Sequence, residues 1–171
     1  TPKYVIRDGV ACIRHGGKSY PMAVFGRHNM QNMEGARRVC NHLGIDDAQF
    51  YEAISQFKGA GKRLQLLGKK GNTLVFLDFA HSPSKVEATV KAAKEFHAGQ
   101  TLLACLELHT YSSLNRDFLG HYRHTLNGAD EAAVFFNPQT IRHKRLAMIS
   151  PEEVKAAFQK DRMMVFTEKT E

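Results

Sequence analysis

Two carboxamides stand three residues apart in Gly26-Arg27-His28-Asn29-Met30-Gln31-Asn32, at the head of an amphipathic run. On a helix this spacing puts Asn29 and Asn32 on one face of the first turn. A carboxamide carries a donor and an acceptor side by side, the pair needed to read the edge of a purine base. The amino end of the helix adds unpaired N–H groups suited to phosphate or ribose. Asparagine is also a common helix cap, which would account for Asn29 but not for Asn32. His28, taken alone, reads as structural.

Further along, Lys62-Arg63 follows the glycines of Lys58-Gly59-Ala60-Gly61, and Asp78-Phe79-Ala80-His81-Ser82-Pro83 puts an acid and an imidazole on one strand-to-helix turn. A guanidinium after a flexible stretch could clamp phosphates, although a basic pair in such a place is usually plain surface. A carboxylate can accept both ribose hydroxyls, and His81 could meet phosphate oxygens. Asp78 could equally be a turn cap ahead of Pro83, and for Asn137 before Pro138 the cap is the better reading. Glu107 and His109 end another strand. Of nine histidines, only His121 and His124 are closely spaced, with no cysteine nearby, so no metal centre is expected.

These side chains need elements to hold them. Residues 4–7, 11–14 and 20–25 read as short strands separated by Asp8-Gly9 and His15-Gly16-Gly17 turns. Met30, Met33, Ala36, Cys40 and Leu43 recur at helical steps up to Gly44. A second helix, capped by Asp46 or Asp47, carries Phe50, Ala53, Ile54 and Phe57. The glycines at 58–62 mark a boundary between domains 1–57 and 58–171. Beyond a hairpin around residues 68–72, strands and helices alternate: strand 73–79, helix 84–97, strand 101–108, helix 113–127, strand 132–137, helix 151–160 and strand 163–167. The near-continuous apolar runs at 74–77 and 101–106 are what strands covered on both faces look like. The expected fold class is therefore α/β, a Rossmann-like and mostly parallel sheet with helices on both faces. Ligands would bind beyond the carboxyl ends of its strands.

Charge is divided unevenly. Of 24 lysines and arginines, 12 lie in residues 1–70 against 5 acids, and 12 lie in 71–171 against 12 acids, so the net +7 belongs to the first part. Such asymmetry suits an anionic partner, a phosphorylated small molecule or a nucleic acid. The absence of an RNA-binding aromatic signature and of zinc-finger spacing lowers the second reading. With 43% hydrophobic residues a core is affordable, and no apolar run has the length of a membrane span. Cys12, Cys40 and Cys105 are widely spaced and odd in number. They read as buried thiols of a reducing compartment, with the cytoplasm as default.

Gly26-x-His28-Asn29-x-x-Asn32, Phe57-x-Gly59-x-x-Lys62-Arg63 and Asp78-Phe79-Ala80-His81-x-Pro83, in that order and spacing, resemble the Mur ligases, the ATP-dependent amide-forming enzymes of peptidoglycan synthesis. The resemblance implies that residues 1–57 are the tail of the central ATPase domain and 58–171 the carboxy-terminal domain, with its last strand possibly missing. It implies ATP and Mg2+ as cofactors. Asn29 and Asn32 would lie on the adenine side, with His28 beside them. Asp78 would lie at the ribose and Arg63, as the catalytic cation, at the phosphates. His81 would stand near ribose and phosphates. A carboxylate would be activated as an acyl phosphate and attacked by an amine.

Ala104 to Ser113 sits where UDP-N-acetylmuramate:L-alanine ligases carry Pro-His-x-Tyr-Ser/Thr-Arg, with Leu108 in place of the proline and Ser113 in place of the arginine. Leu106-Glu107 looks more like the ligase that joins UDP-N-acetylmuramate to L-alanyl-γ-D-glutamyl-meso-diaminopimelate. The tripeptide is the expected acceptor and L-alanine the alternative, with His109 either at the incoming peptide or packed on the next helix. The family's glycine-rich phosphate loop and its carbamylated lysine have no counterpart here. The chain is therefore expected to be a carboxy-terminal fragment that does not hydrolyse ATP alone, with most magnesium ligands outside it. A non-catalytic nucleotide-binding module is the reading from another class. Folate–polyglutamate and cyanophycin synthetases share the superfamily plan.

Overall fold

The computed structural model describes residues 3–7 and 10–167, and it forms two compact units. The first comprises residues up to 79 together with 95–98; the second comprises 80–94 and 99 onward.

In the first unit, β1 (Tyr4–Arg7), β2 (Val10–His15) and β3 (Lys18–Met22) form an antiparallel sheet in that order. Ile13 faces Tyr20 and Ala11 faces Met22, and all four are buried, so the period-two pattern supplies one apolar face. The β2–β3 turn is Gly16-Gly17, with φ of 54° and 77°, values that a side chain would resist. The Asp8-Gly9 turn lies outside the described residues. The third strand ends at Met22, short of the expected Phe25.

Helix α1 (Arg27–His42) starts after Gly26, whose φ of 89° turns the chain, and stops at Gly44 with φ 85°. Of its apolar stripe only Met30 and Met33 are buried. Cys40 is half-buried, and Ala36 and Leu43 are exposed. Helix α2 (Asp47–Ser55) opens on a capping box: Asp46 accepts the Gln49 N–H at 2.8 Å and Gln49 Oε1 accepts the Asp46 N–H at 3.1 Å. It buries Phe50 and Tyr51, whereas Ala53 faces outward. Tyr51 earns its burial against the rings of Tyr20 and His15, 5.5 and 5.3 Å away.

Strands β4 (Gln65–Lys70) and β5 (Thr73–Leu77) pair antiparallel across Gly71-Asn72, with a bulge between Leu66 and Gly68. The expected strand 73–79 is thus shorter. Among the described residues it pairs with β4 and does not join the parallel sheet.

The second unit holds α3 (Pro83–Phe96), whose last residues belong with the first unit, then β6 (Leu103–Leu108), α4 (Arg116–Leu119), a 3-10 turn at Gly120–Tyr122, β7 (Glu131–Phe136), α5 (Pro138–His143), α6 (Pro151–Phe158) and β8 (Met163–Phe166). Strands β6, β7 and β8 form a parallel sheet in sequence order, with Leu106 level with Val134 and Val134 level with Val165. Its core face carries Leu106, Leu108, Ala132, Val134, Phe136 and Met163. They pack with Val86, Val90, Tyr122, Ile141, Val154 and Phe158 from the flanking helices and turns. This is the expected α/β architecture.

The apolar run of β6 does not reflect burial on both sides. Leu103, Cys105 and Glu107 alternate outward and are exposed, so the strand follows period two with an apolar outer row. For the same reason Cys105 is exposed, and Cys12 and Cys40 are only half-buried, so the expectation of buried thiols is overturned. The expected helix 113–127 shrinks to α4 and the 3-10 turn. Asn115 caps it late, and Arg123 and His124 leave helical geometry, the latter with φ 64°. Helix α5 was not read from the sequence, although Asn137 does act as its cap, accepting the Gln139 N–H at 2.8 Å. No helix among the described residues is long and apolar enough to cross a membrane.

Candidate functional site

Within the first unit the structure brings together five of the residues singled out from the sequence. Gly26 leads α1 in without a side-chain cap, which leaves the first turn open. The Asn29 amide donates to the Phe25 carbonyl at 2.8 Å, so Asn29 braces the entry to the helix but is not its cap. Its Oδ1 and the whole amide of Asn32 make no hydrogen bond among the described residues. Both side chains line a cavity of about 370 Å³. Val24, Met33, Ala36, Ile54 and Phe57 give it an apolar wall, and Arg63 closes it with a cation. An apolar slot with a few convergent polar groups is the ordinary form of a small-molecule site.

Arg63 is exposed, on a loop whose glycines suggest flexibility. The loop is in fact held. Asp78 Oδ2 accepts the Leu64 N–H at 2.8 Å, the Phe79 N–H donates to the Lys62 carbonyl at 2.9 Å, and Gln65 Oε1 accepts the Lys62 N–H at 2.9 Å. Lys62 and Leu64 both adopt left-handed conformations, φ 57° and 44°, which non-glycine residues keep only when their surroundings hold them. No sequence signal marks Leu64 or Gln65, because a left-handed lysine or leucine looks like any other.

His28 is half-buried, and burial is the main reason its pKa falls below the ordinary imidazole value. The Asp78 carboxylate pulls it up and the Arg63 guanidinium pushes it further down. Asp78 and Arg63 therefore both act on one imidazole at the head of α1, so the acid, the guanidinium and the histidine share one neighbourhood.

His81 and His109 belong to the second unit. Their rings lie 6.2 Å apart between centroids, tilted by 60°. The Tyr122 hydroxyl donates to the His81 carbonyl, and the His109 Nδ1 stands 3.3 Å from the Glu107 carbonyl. Tyr122 is fully buried, and burial pushes its pKa up to about 12, so it stays a donor. Ser113, where the L-alanine ligases carry an arginine, is also buried. It is closed into a turn with Thr110, whose N–H and hydroxyl each lie 2.9 Å from Ser113 Oγ.

Among the described residues no three histidine, cysteine, aspartate or glutamate side chains gather as metal ligands. Gly16-Gly17-Lys18-Ser19 has the letters of a phosphate loop, yet it forms the hairpin turn between β2 and β3 and does not open on a helix.

The family model described as "Mur ligase, glutamate ligase domain" matches residues 62–171. A UDP-N-acetylmuramate–L-alanine ligase from Cutibacterium acnes is 36% identical over 114 residues, which are 66% of this chain and 24% of that protein. The chain thus spans about a quarter of that relative's length. Among solved structures, the UDP-N-acetylmuramate–alanine ligase of Thermotoga maritima superposes with a TM-score of 0.61 at 19% identity, over 95% of this chain and 40% of that one. MurF from Acinetobacter baumannii superposes with a TM-score of 0.67 at 16% identity, over 96% and 34%. These two show the likeness of fold, and the matched family carries the assignment: the chain belongs to the Mur ligase, glutamate ligase domain family.

Proposed function

We propose that this chain supplies the nucleotide-binding edge and the acceptor-facing domain of an ATP-dependent ligase that joins UDP-N-acetylmuramate to an amine. The observation that carries the reading is the convergence of Asn29, Asn32 and Arg63 on one cavity, with Asp78 and Arg63 both acting on His28. In this reading residues 1–57 are the tail of a central ATPase domain and 58–171 the carboxy-terminal domain. The start of the family match at residue 62 supports that division.

Adenine would sit against the apolar wall with its edge toward the two amides, ribose near Asp78 and His28, and phosphates at Arg63. His81 is the remaining candidate on the nucleotide side. The carboxylate of the sugar nucleotide takes the γ-phosphoryl group of ATP, leaving ADP and an acyl phosphate. The amine then attacks the acyl carbon and phosphate departs. Arg63 acts here by charge neutralisation and positioning, which is what phosphoryl transfer asks of a protein. A reaction that consumes ATP and a nucleotide sugar belongs in the cytoplasm.

For the acceptor, the tripeptide L-alanyl-γ-D-glutamyl-meso-diaminopimelate is supported by Leu106-Glu107 and by the buried, turn-bound Ser113, which leaves no cation where the L-alanine ligases carry one. L-alanine is the second reading, favoured by the name of the Cutibacterium relative. His109, at the carboxyl end of β6, is the residue proposed to meet the acceptor.

Calorimetric titration of the 171-residue chain with ADP tests the nucleotide half. Binding that weakens in Asn32→Ala and Arg63→Ala is expected, and binding indifferent to both changes would remove the site. Titration with the tripeptide and with L-alanine, followed through the His109 imidazole resonances, tests the acceptor. A response to L-alanine alone would reverse the preference.

A further inference from the structure

The first unit contains a second and larger cavity, of about 740 Å³, within the size range of small-molecule sites. Three phenylalanines and a histidine give it an aromatic lining. Phe25 and Phe96 stack with centroids 4.0 Å apart, Phe76 meets Phe25 edge-on at 6.0 Å, and His97 lies 5.3 Å from Phe76. Lys58 and Arg63 also line the cavity, and among the described residues no aspartate or glutamate does. The charge these residues bring to it is one-sided.

His97 is among the lining residues. Its Nε2 is buried and finds no hydrogen-bond partner among the described residues. Burial lowers its pKa, so the ring is neutral near pH 7 and adds to the aromatic wall without adding charge.

We propose that this cavity binds a small planar aromatic anion, its ring against Phe25, Phe76 and Phe96 and its carboxylate, sulfonate or phosphate at Lys58 and Arg63. Arg63 and Ala60 line this cavity and the smaller one alike, so an anion held here draws on the guanidinium assigned above to nucleotide. The binding itself does not depend on that assignment.

Fluorescence titration of the 171-residue chain tests it, with 8-anilinonaphthalene-1-sulfonate as the aromatic anion and N-phenyl-1-naphthylamine as the same ring system without the sulfonate. Saturable one-to-one binding of the sulfonate is expected. Lys58→Ala, a change at an exposed residue, weakens it about tenfold through loss of a charge-assisted contact while leaving the neutral dye unaffected. Leu66→Trp, which introduces bulk from an exposed lining position, weakens both dyes. Circular dichroism confirms that each variant is folded. Sulfonate binding that is the same in the parent chain and both variants overturns the proposal, because the dye is then on exposed apolar surface. Absence of saturable binding overturns it too.

Discussion

The carboxylate of Asp78 accepts the backbone N–H of Leu64 across fourteen positions, at 2.8 Å, and so holds the residue next to Arg63. The acid at the end of β5 thereby fixes the conformation of the loop that carries the cation. Asp78→Ala leaves the Leu64 N–H without this acceptor and should cost about 1–3 kcal/mol. Hydrogen exchange at Leu64 and its neighbours should quicken, while exchange in β7 stays as it was. An unchanged rate at Leu64 would show that the loop is held by other means.

Arg63 is exposed and makes no hydrogen bond among the described residues, so its removal should leave the fold alone. In the nucleotide reading Arg63→Ala weakens ADP binding about tenfold or more, through lost charge-assisted bonds to phosphate. Adenosine, which has no phosphates, should lose little. An equal loss for both ligands would point to damage to the cavity.

Two half-buried histidines of the first unit, His28 and His97, have pKa values below the usual 6.5, chiefly through burial. The unfolded chain therefore binds protons more readily than the folded one as pH falls below 6.5. Stability that is complete above that pH is lost through this window. Glu34 gives a separate, more acidic limb. Hydrogen bonds from Arg37 and Arg38 hold its pKa at about 2, so its contribution is present above 4.5 and disappears as pH falls toward 2. Melting temperatures measured from pH 8 to 3 should show the first limb flattened in His28→Gln and the second reduced in Glu34→Gln.

Ser150 accepts the Glu153 N–H at 3.2 Å, and Glu153 returns the bond to the Ser150 N–H at 2.8 Å. Ser150→Ala removes half of this capping box and should cost about 1 kcal/mol. The loss is to be read from urea unfolding, and Ser150→Asp, which can restore the acceptor, should recover most of it.

Tyr122→Phe removes the hydroxyl that donates to the His81 carbonyl and should cost about 1 kcal/mol. His81 should move with it, seen as a shift of its imidazole resonances, with smaller shifts at residues of the first unit. No change at His81 would separate Tyr122 from that turn.

Much of the fold was readable because local chemistry agreed with it. Asp46 ahead of the second helix, Asn137 before Pro138 and the glycine turns at 16–17 and 71–72 satisfy nearby backbone groups, and such signals need no distant partner. Residues 113–127 failed for the complementary reason. Their apolar spacing imitates a helix, but Asn115, Gly120 and His124 break it into turns whose buried side chains fit the core. Strand 73–77 carries the same letters whether it pairs with a hairpin partner or inside a parallel sheet, and pairing is a choice between distant segments.

For the site, the sequence by itself determined the groups: two amides one helical turn apart, a guanidinium after glycines, an acid before Pro83, and the excess positive charge in the first part of the chain. Only the tertiary structure decided that Asn29, Asn32 and Arg63 share a cavity, that Asp78 holds the loop beside Arg63, and that Ser113 is closed into a turn. Residue types and short spacings fix what a side chain can bond. Which distant backbone it bonds depends on long-range closure, where burial and left-handed conformations such as those of Lys62 and Leu64 are set by the whole fold.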